Sequence, residues 1–195
     1  MKKLVVALAA SAVLAGCASN QTTKIDYSEC KYPDSPTHDA PTWICDQPVD
    51  TVWIQGVGYA KKMAAGPGVM KDVAAAEARV QMAENFSADI QARLSRATND
   101  STVNGENTNS DTIEALTQEA TAMTLTFSRI YRSQVSPSGG MYVLVGLNEA
   151  GYRENVNALL SKVPEGEDPE LYRQFLMAEA NAELDEMAER LNNNQ

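Results

Sequence analysis

The 195 residues hold one histidine, His38, and three cysteines. A histidine-based triad would have to use His38, which lies in a proline-rich stretch with no periodic neighbour, where a solvated surface position accounts for it. No HExxH, GxSxG or SxxK pattern occurs, so the common metalloprotease and serine-nucleophile layouts find no anchor. Gly56 and Gly58 lack a third glycine at dinucleotide spacing, and no GK[ST] follows them, which removes the usual phosphate loops. Basic side chains are also scarce, sixteen against 26 acidic ones, for a formal charge of −10. Such a surface repels nucleic acid and offers no polybasic patch to anionic lipid. The carboxylates read as a solvated acidic face rather than a paired acid and base. These absences predict a protein that is not an enzyme and carries no cofactor.

A long apolar run is missing too. Leu4 to Leu14 is nearly unbroken but only eleven residues, short of the ~20 that span a bilayer. It follows Lys2 and Lys3 and closes on small residues, the layout of an export signal. Leu14-Ala15-Gly16-Cys17 resembles the bacterial lipoprotein signal. The resemblance implies a signal peptide over 1–16, diacylglycerol on Cys17, cleavage before it and acylation of the new amine. About three acyl chains, at ~0.8 kcal/mol per buried methylene, anchor a protein to membrane effectively for good. Ala18, with no Asp after the cysteine, points by resemblance to bacterial sorting rules to the outer membrane, with the domain facing the periplasm. An ordinary secretory signal with an incidental cysteine is the alternative. Without Lys2 and Lys3 the basic side chains fall to fourteen and the formal charge to −12, so attachment has to come from lipid.

With Cys17 assigned, Cys30 and Cys45 remain. An even remainder in an exported chain predicts a disulfide, worth roughly 3 kcal/mol for a loop of about fifteen residues in the chain-entropy model. A zinc pair is the rival, but its spacing is wide and His38 is the only histidine to complete four ligands.

Residues 17–40 read as a lipidated N-terminus, a polar tether over 18–29 and a proline-rich loop; Pro33, Pro36 and Pro41, within 31–42, discourage regular structure and favour extended backbone, which predicts an ordered loop. The tether spans roughly 20 Å. A domain follows over 41–163. Residues 51–60 predict a strand with Trp53, Val57 and Tyr59 on one face and Ile54, Gly56 and Gly58 on the other. Glycines there mark close approach of another backbone, expected to be a helix crossing the sheet. A long helix is predicted over 69–97, with Val73, Ala76, Val80, Ala83, Ile90 and Leu94 as its apolar stripe and Asp72, Glu77, Arg79, Glu84 and Arg93 elsewhere. A polar loop over 98–112 leads to a short helix over 112–122. Residues 123–136 predict a long strand with Leu125, Phe127, Tyr131 and Val135 on one face. Pro137-Ser138-Gly139-Gly140 is a hairpin turn, and Met141–Leu147 is the central strand. A helix over 149–162 and a C-terminal helix within 164–195 complete the chain. The last carries a stripe of Leu176, Ala180, Leu184, Met187 and Leu191, expected to pack on its own domain or a second copy in preference to a foreign partner. The fold class that results is α+β, a small three-stranded antiparallel sheet with helices on one face plus a C-terminal amphipathic helix.

Several segments carry a family resemblance. Pro41-Thr42-Trp43 precedes Gly56-Val57-Gly58-Tyr59-Ala60. An alanine-rich helix with Ala74-Ala75-Ala76-Glu77-Ala78-Arg79 follows, then Ser128-Arg129-Ile130-Tyr131 and Tyr142-Val143-Leu144-Val145. In this order they resemble the LPP-twenty lipoprotein family of small bacterial outer-membrane lipoproteins, whose relatives include the flagellar lipoprotein FlgP and a domain of FlgT. The likeness covers residues 41 to about 150 and implies a non-enzymatic envelope lipoprotein with a structural or assembly role, in some members around the flagellum. The Cys30–Cys45 loop and the C-terminal helix lie outside that pattern. The expected partners are the membrane, through lipid, and a second copy or an envelope protein. The alternative function is a periplasmic protein-binding module, such as a partner of a cell-wall synthase. Asp100, Thr102, Asn104-Gly105 and Asp111 overlay EF-hand loop spacing. Thr at the third position, Asp at the twelfth and Asn107 in the apolar slot favour a plain polar loop, and no metal is expected.

Overall fold

A computed structural model of the chain describes residues 29–99 and 110–163, with 165, 169, 172, 173, 176 and 177 beyond them. The expected signal, Cys17 and tether through residue 28 lie outside the described residues, as does most of 164–195.

The three main strands are β3 (Ile54–Ala60), β4 (Arg129–Val135) and β5 (Met141–Leu147), all antiparallel in the order β3-β5-β4. Strand β5 is central, as its apolar run predicts, and every residue of it is buried. Its two faces serve different cores. Met141, Val143, Val145 and Leu147 meet the helices α1 (Pro67–Asn99), α2 (Ser110–Ala122) and α3 (Glu149–Leu160). Tyr142 faces the other way, into a small cluster with Tyr32 and Ile44. The architecture is therefore α+β with a three-stranded antiparallel sheet, as expected.

Helix α1 begins at Pro67, whose missing N–H costs nothing in a first turn. Thirty-three residues make it about 50 Å long, so its first half lies on β3 and β5 while its second half holds α2. The buried stripe is Met70, Ala74, Ala78, Met82, Phe86, Ile90 and Leu94. That shifts the predicted phase. Val73 and Val80 are 45% and 60% exposed, because the face nearest the sheet is chosen by alanines small enough to approach it. A Cβ on Gly56 would sit 2.4 Å from the Ala78 carbonyl oxygen, and one on Gly58 2.0 Å from that of Ala74. The predicted close approach of a helix at these glycines is thus found. Arg93, expected on the polar side, is 4% exposed.

Two other expectations change. Strand β4 starts at Arg129 rather than residue 123. Buried Asn155 in α3 takes the backbone of Thr126, accepting from its N–H at 2.9 Å and donating to its C=O at 3.0 Å. Phe127 then turns to a φ of 62° and is 63% exposed; Val135 is also exposed, so the predicted apolar face of this edge strand does not form. The proline-rich segment, expected as an ordered loop of extended backbone, is a small hairpin, β1 (Lys31–Tyr32) and β2 (Ser35–Asp39). Pro33 sits in its turn, Pro36 lies on the two-stranded β2, and Pro41 precedes a 3₁₀ turn over Thr42–Cys45, all places where a missing N–H breaks no inner ladder. Farther on, Tyr172, Leu176 and Met177 enter the main core, so the start of the C-terminal stripe packs on its own domain. Ala180, Leu184, Met187 and Leu191 lie outside the described residues. Among the described residues no helix is long and apolar enough to cross a membrane.

Candidate functional site

The Cys30–Cys45 disulfide forms, with Cα atoms 5.9 Å apart. It ties the hairpin to the 3₁₀ turn and lays both on the outer face of the sheet, where Tyr32 and Ile44 pack beside Tyr142. Between this cap and helix α1, along the free edge of β3, runs a groove of about 500 Å³. Its walls are Ile44 of the 3₁₀ turn and Asp46 just after it, Gln55, Val57 and Tyr59 from β3, and Glu77, Gln81 and Asn85 from α1. The three helix residues recur every fourth position and so share one side of α1. Two of them cap the strand. Glu77 Oε2 accepts from the Tyr59 N–H at 3.0 Å. Asn85 Nδ2 donates to the Gln55 carbonyl at 2.8 Å. The Gln55 side chain turns the other way and braces the loop before β3, donating to the Gln47 carbonyl and accepting from the Val49 N–H. The edge is thereby partly covered by side chains, a common guard against unwanted strand pairing.

At the end of the groove stands Asp34, in the hairpin turn. Its carboxylate accepts hydrogen bonds from Ser136 Oγ at 2.6 Å, Tyr142 OH at 3.1 Å, Tyr59 OH at 3.2 Å and Ser138 Oγ. Ser136 in turn accepts from the Gly140 N–H at 3.0 Å, so one carboxylate joins the hairpin, β3, β5 and the β4–β5 turn. Partial burial pushes the Asp34 pKa up, but the hydroxyl donors Ser136, Ser138, Tyr142 and Tyr59 together outweigh it and hold the value below the ordinary 3.8. Burial and the Asp34 hydrogen bond push Tyr142 up to about 12, and the same causes raise Tyr59. Both phenols stay protonated donors at neutral pH. A carboxylate stabilised this way is a weak base, and its serines already donate to it. The cluster holds structure.

A group whose folded pKa lies below its unfolded one gives stability that is complete above the unfolded value and lost as pH falls through the folded value. Asp34→Asn should therefore cost roughly 1–2 kcal/mol at neutral pH. The difference from the parent should shrink below about pH 4. Urea midpoints measured across that range check it, and a difference independent of pH would refute the assignment.

The predicted site residues fare as follows. Cys30 and Cys45 are joined. Cys17 lies outside the described residues, as do Asp100 and Asn104; Asp111 opens the first turn of α2. Among the described residues no cluster of three metal-binding side chains occurs. His38 is exposed on β2, with Ser35 Oγ and Thr37 Oγ1 3.0 and 3.1 Å from Nδ1. Sequence reasoning missed Asp34 and the groove. The helix pattern Glu77, Gln81, Asn85 was a visible signal, but only the fold shows that these side chains run along a strand edge. In comparisons with known proteins, no family matches this chain and none of the curated proteins does.

Proposed function

We propose that this chain is a lipid-anchored, non-enzymatic envelope protein of the bacterial outer membrane, with its domain in the periplasm and a structural or assembly role there. The observation that carries the reading is Leu14-Ala15-Gly16-Cys17 closing a short apolar run behind two lysines. The Cys30–Cys45 disulfide supports it, since such bonds persist in oxidising compartments. The acidic balance supports lipid as the means of attachment. Membership of the LPP-twenty family, and with it an association with the flagellum, belongs to this proposal and rests on the motifs quoted above. The open groove beside β3 favours a second reading, a periplasmic module that captures a partner protein such as a cell-wall synthase.

Mass spectrometry of protein taken from the envelope tests the anchor. The expected species starts at Cys17 and carries three acyl chains, and Cys17→Ser should move the protein from the membrane pellet to the soluble fraction. A bare sulfur at Cys17, or a mature start elsewhere, overturns the reading. With the anchor shown, sedimentation separates the two roles. A self-associating protein supports assembly, whereas a monomer that retains one envelope partner supports capture.

A further inference from the structure

The β3 groove has one place where the guard is open, and the chemistry around it is specific. In an antiparallel strand, alternate residues turn both backbone groups to the same side. The partners of Gln55 and Tyr59 show that their C=O and N–H face outward, so the N–H and C=O of Val57, midway between them, face the groove as well. Glu77 covers one neighbour and Asn85 the other. Among the described residues, no side chain bonds the outward pair of Val57, and the amide of Gln81, between those two caps on α1, makes no hydrogen bond. The result is a backbone donor and acceptor beside a free side-chain amide, which is the complement of one extended peptide unit. At about 3.3 Å per residue, the stretch between the two caps accommodates roughly three residues of added chain. The charged residues that line the groove, Asp46 and Glu77, are both acidic, and the rings of Tyr59 and Tyr142 stand with them. Carboxylates beside aromatic rings favour a cation.

We infer that the β3 groove is a recognition site for a short extended peptide segment bearing a Lys or Arg side chain, held by the Val57 backbone pair and the Gln81 amide and selected by Glu77 and Asp46. The inference does not depend on the lipid anchor. It reads a surface of the folded domain that would exist on a tethered or an untethered chain.

The test uses the full chain, isotopically labelled in detergent micelles and titrated with acetyl-Ala-Lys-Ala-amide. The Val57 amide resonance is expected to move, with saturation in the millimolar range or tighter. The same peptide with Glu in place of Lys should bind about tenfold more weakly or worse. Methylating the Lys backbone nitrogen should abolish the Val57 shift, because it removes the donor. Added salt should weaken the Lys peptide, as expected for exposed charges. Glu77→Gln keeps an acceptor for the Tyr59 N–H, so the fold survives, and should weaken binding about threefold; Gln81→Ala should do the same. The inference falls if the Val57 resonance stays still at about 10 mM peptide. It falls equally if the Glu peptide binds as well as the Lys peptide, or if both variants bind like the parent.

Discussion

Gly58→Val is expected to cost the domain upward of about 4 kcal/mol of stability at 25 °C. The added Cβ would lie 2.0 Å from the Ala74 carbonyl oxygen and 2.4 Å from the Ala78 nitrogen. Both are backbone atoms of α1, so no rotamer change relieves the contact, and the helix has to lift from the sheet. Overpacking of flexible side chains costs about 1–3 kcal/mol; a clash between two backbones stands at or beyond the top of that range. Gly58→Ala should thus lose about 3 kcal/mol, and the two extra methyl groups of Val should take the loss past 4 kcal/mol, a large part of the 5–15 kcal/mol that domains hold in total. Gly68 supplies the contrast. A Cβ there meets nothing within 4 Å, and Gly68→Ala should add about 0.5 kcal/mol by narrowing the unfolded ensemble. Urea unfolding followed by circular dichroism gives all three values. A Gly58→Ala variant as stable as the parent would show that α1 does not rest on β3 as described. The same lifting would draw Glu77 and Asn85 away from the β3 edge, so peptide capture should fail in Gly58→Ala even where the domain remains folded.

The glycine pair was the most readable part of this fold. Two glycines at alternate positions of a strand, followed by alanines four apart in a helix, encode a close crossing whether or not the helix phase is known. The phase itself was misread because Val73 and Val80 outrank alanine in hydrophobicity. Burial here was decided by size at the contact, and the larger residues were left on the outside. Strand β5 was legible for a simpler reason, since a run such as Met141–Leu147 has nowhere to go but the middle of a sheet. Strand β4 was overextended because Leu125 and Phe127 fit a period of two. What ends the strand early is Asn155, twenty-nine residues away, and no local pattern announces a long-range hydrogen bond. The same holds for the groove. Three of the four partners of Asp34, namely Ser136, Ser138 and Tyr142, lie more than a hundred residues along the chain, and Val57 gains meaning only from its place on an edge. The disulfide was foreseeable by counting cysteines. The hairpin it braces was not, because three prolines in twelve residues argue for irregular chain unless the strand they sit in has no inner ladder to interrupt.

The second large loss is expected at Asp89. Arg93 is buried, and Asp89 meets it from one turn earlier in α1, accepting from its Nε at 2.9 and 2.8 Å and from Nη2 at 2.6 Å. Asp89 also accepts from Tyr152 OH at 2.9 Å. Tyr152 is fully buried in α3, between the rings of Trp53 and Phe86 at centroid distances of 5.3 and 5.6 Å. One carboxylate therefore fixes a buried cation and a buried phenol and joins α1 to α3. Removing one partner of a buried pair costs about 3–5 kcal/mol, because the other charge stays behind in a poor solvent. Asp89→Ala should fall in that range, with the lost Tyr152 hydrogen bond adding to it. Asp89→Asn keeps an acceptor but not the charge, and should lose about half as much. The decisive variant is the double one. Replacing buried ion pairs by apolar groups of similar volume is often neutral, so Asp89→Ala with Arg93→Met should recover at least about 1 kcal/mol of the single-variant loss. If the double variant is as unstable as the sum of the two single ones, the carboxylate and guanidinium are not coupled. The fall in stability would then belong to the Tyr152 hydrogen bond, which Tyr152→Phe measures separately.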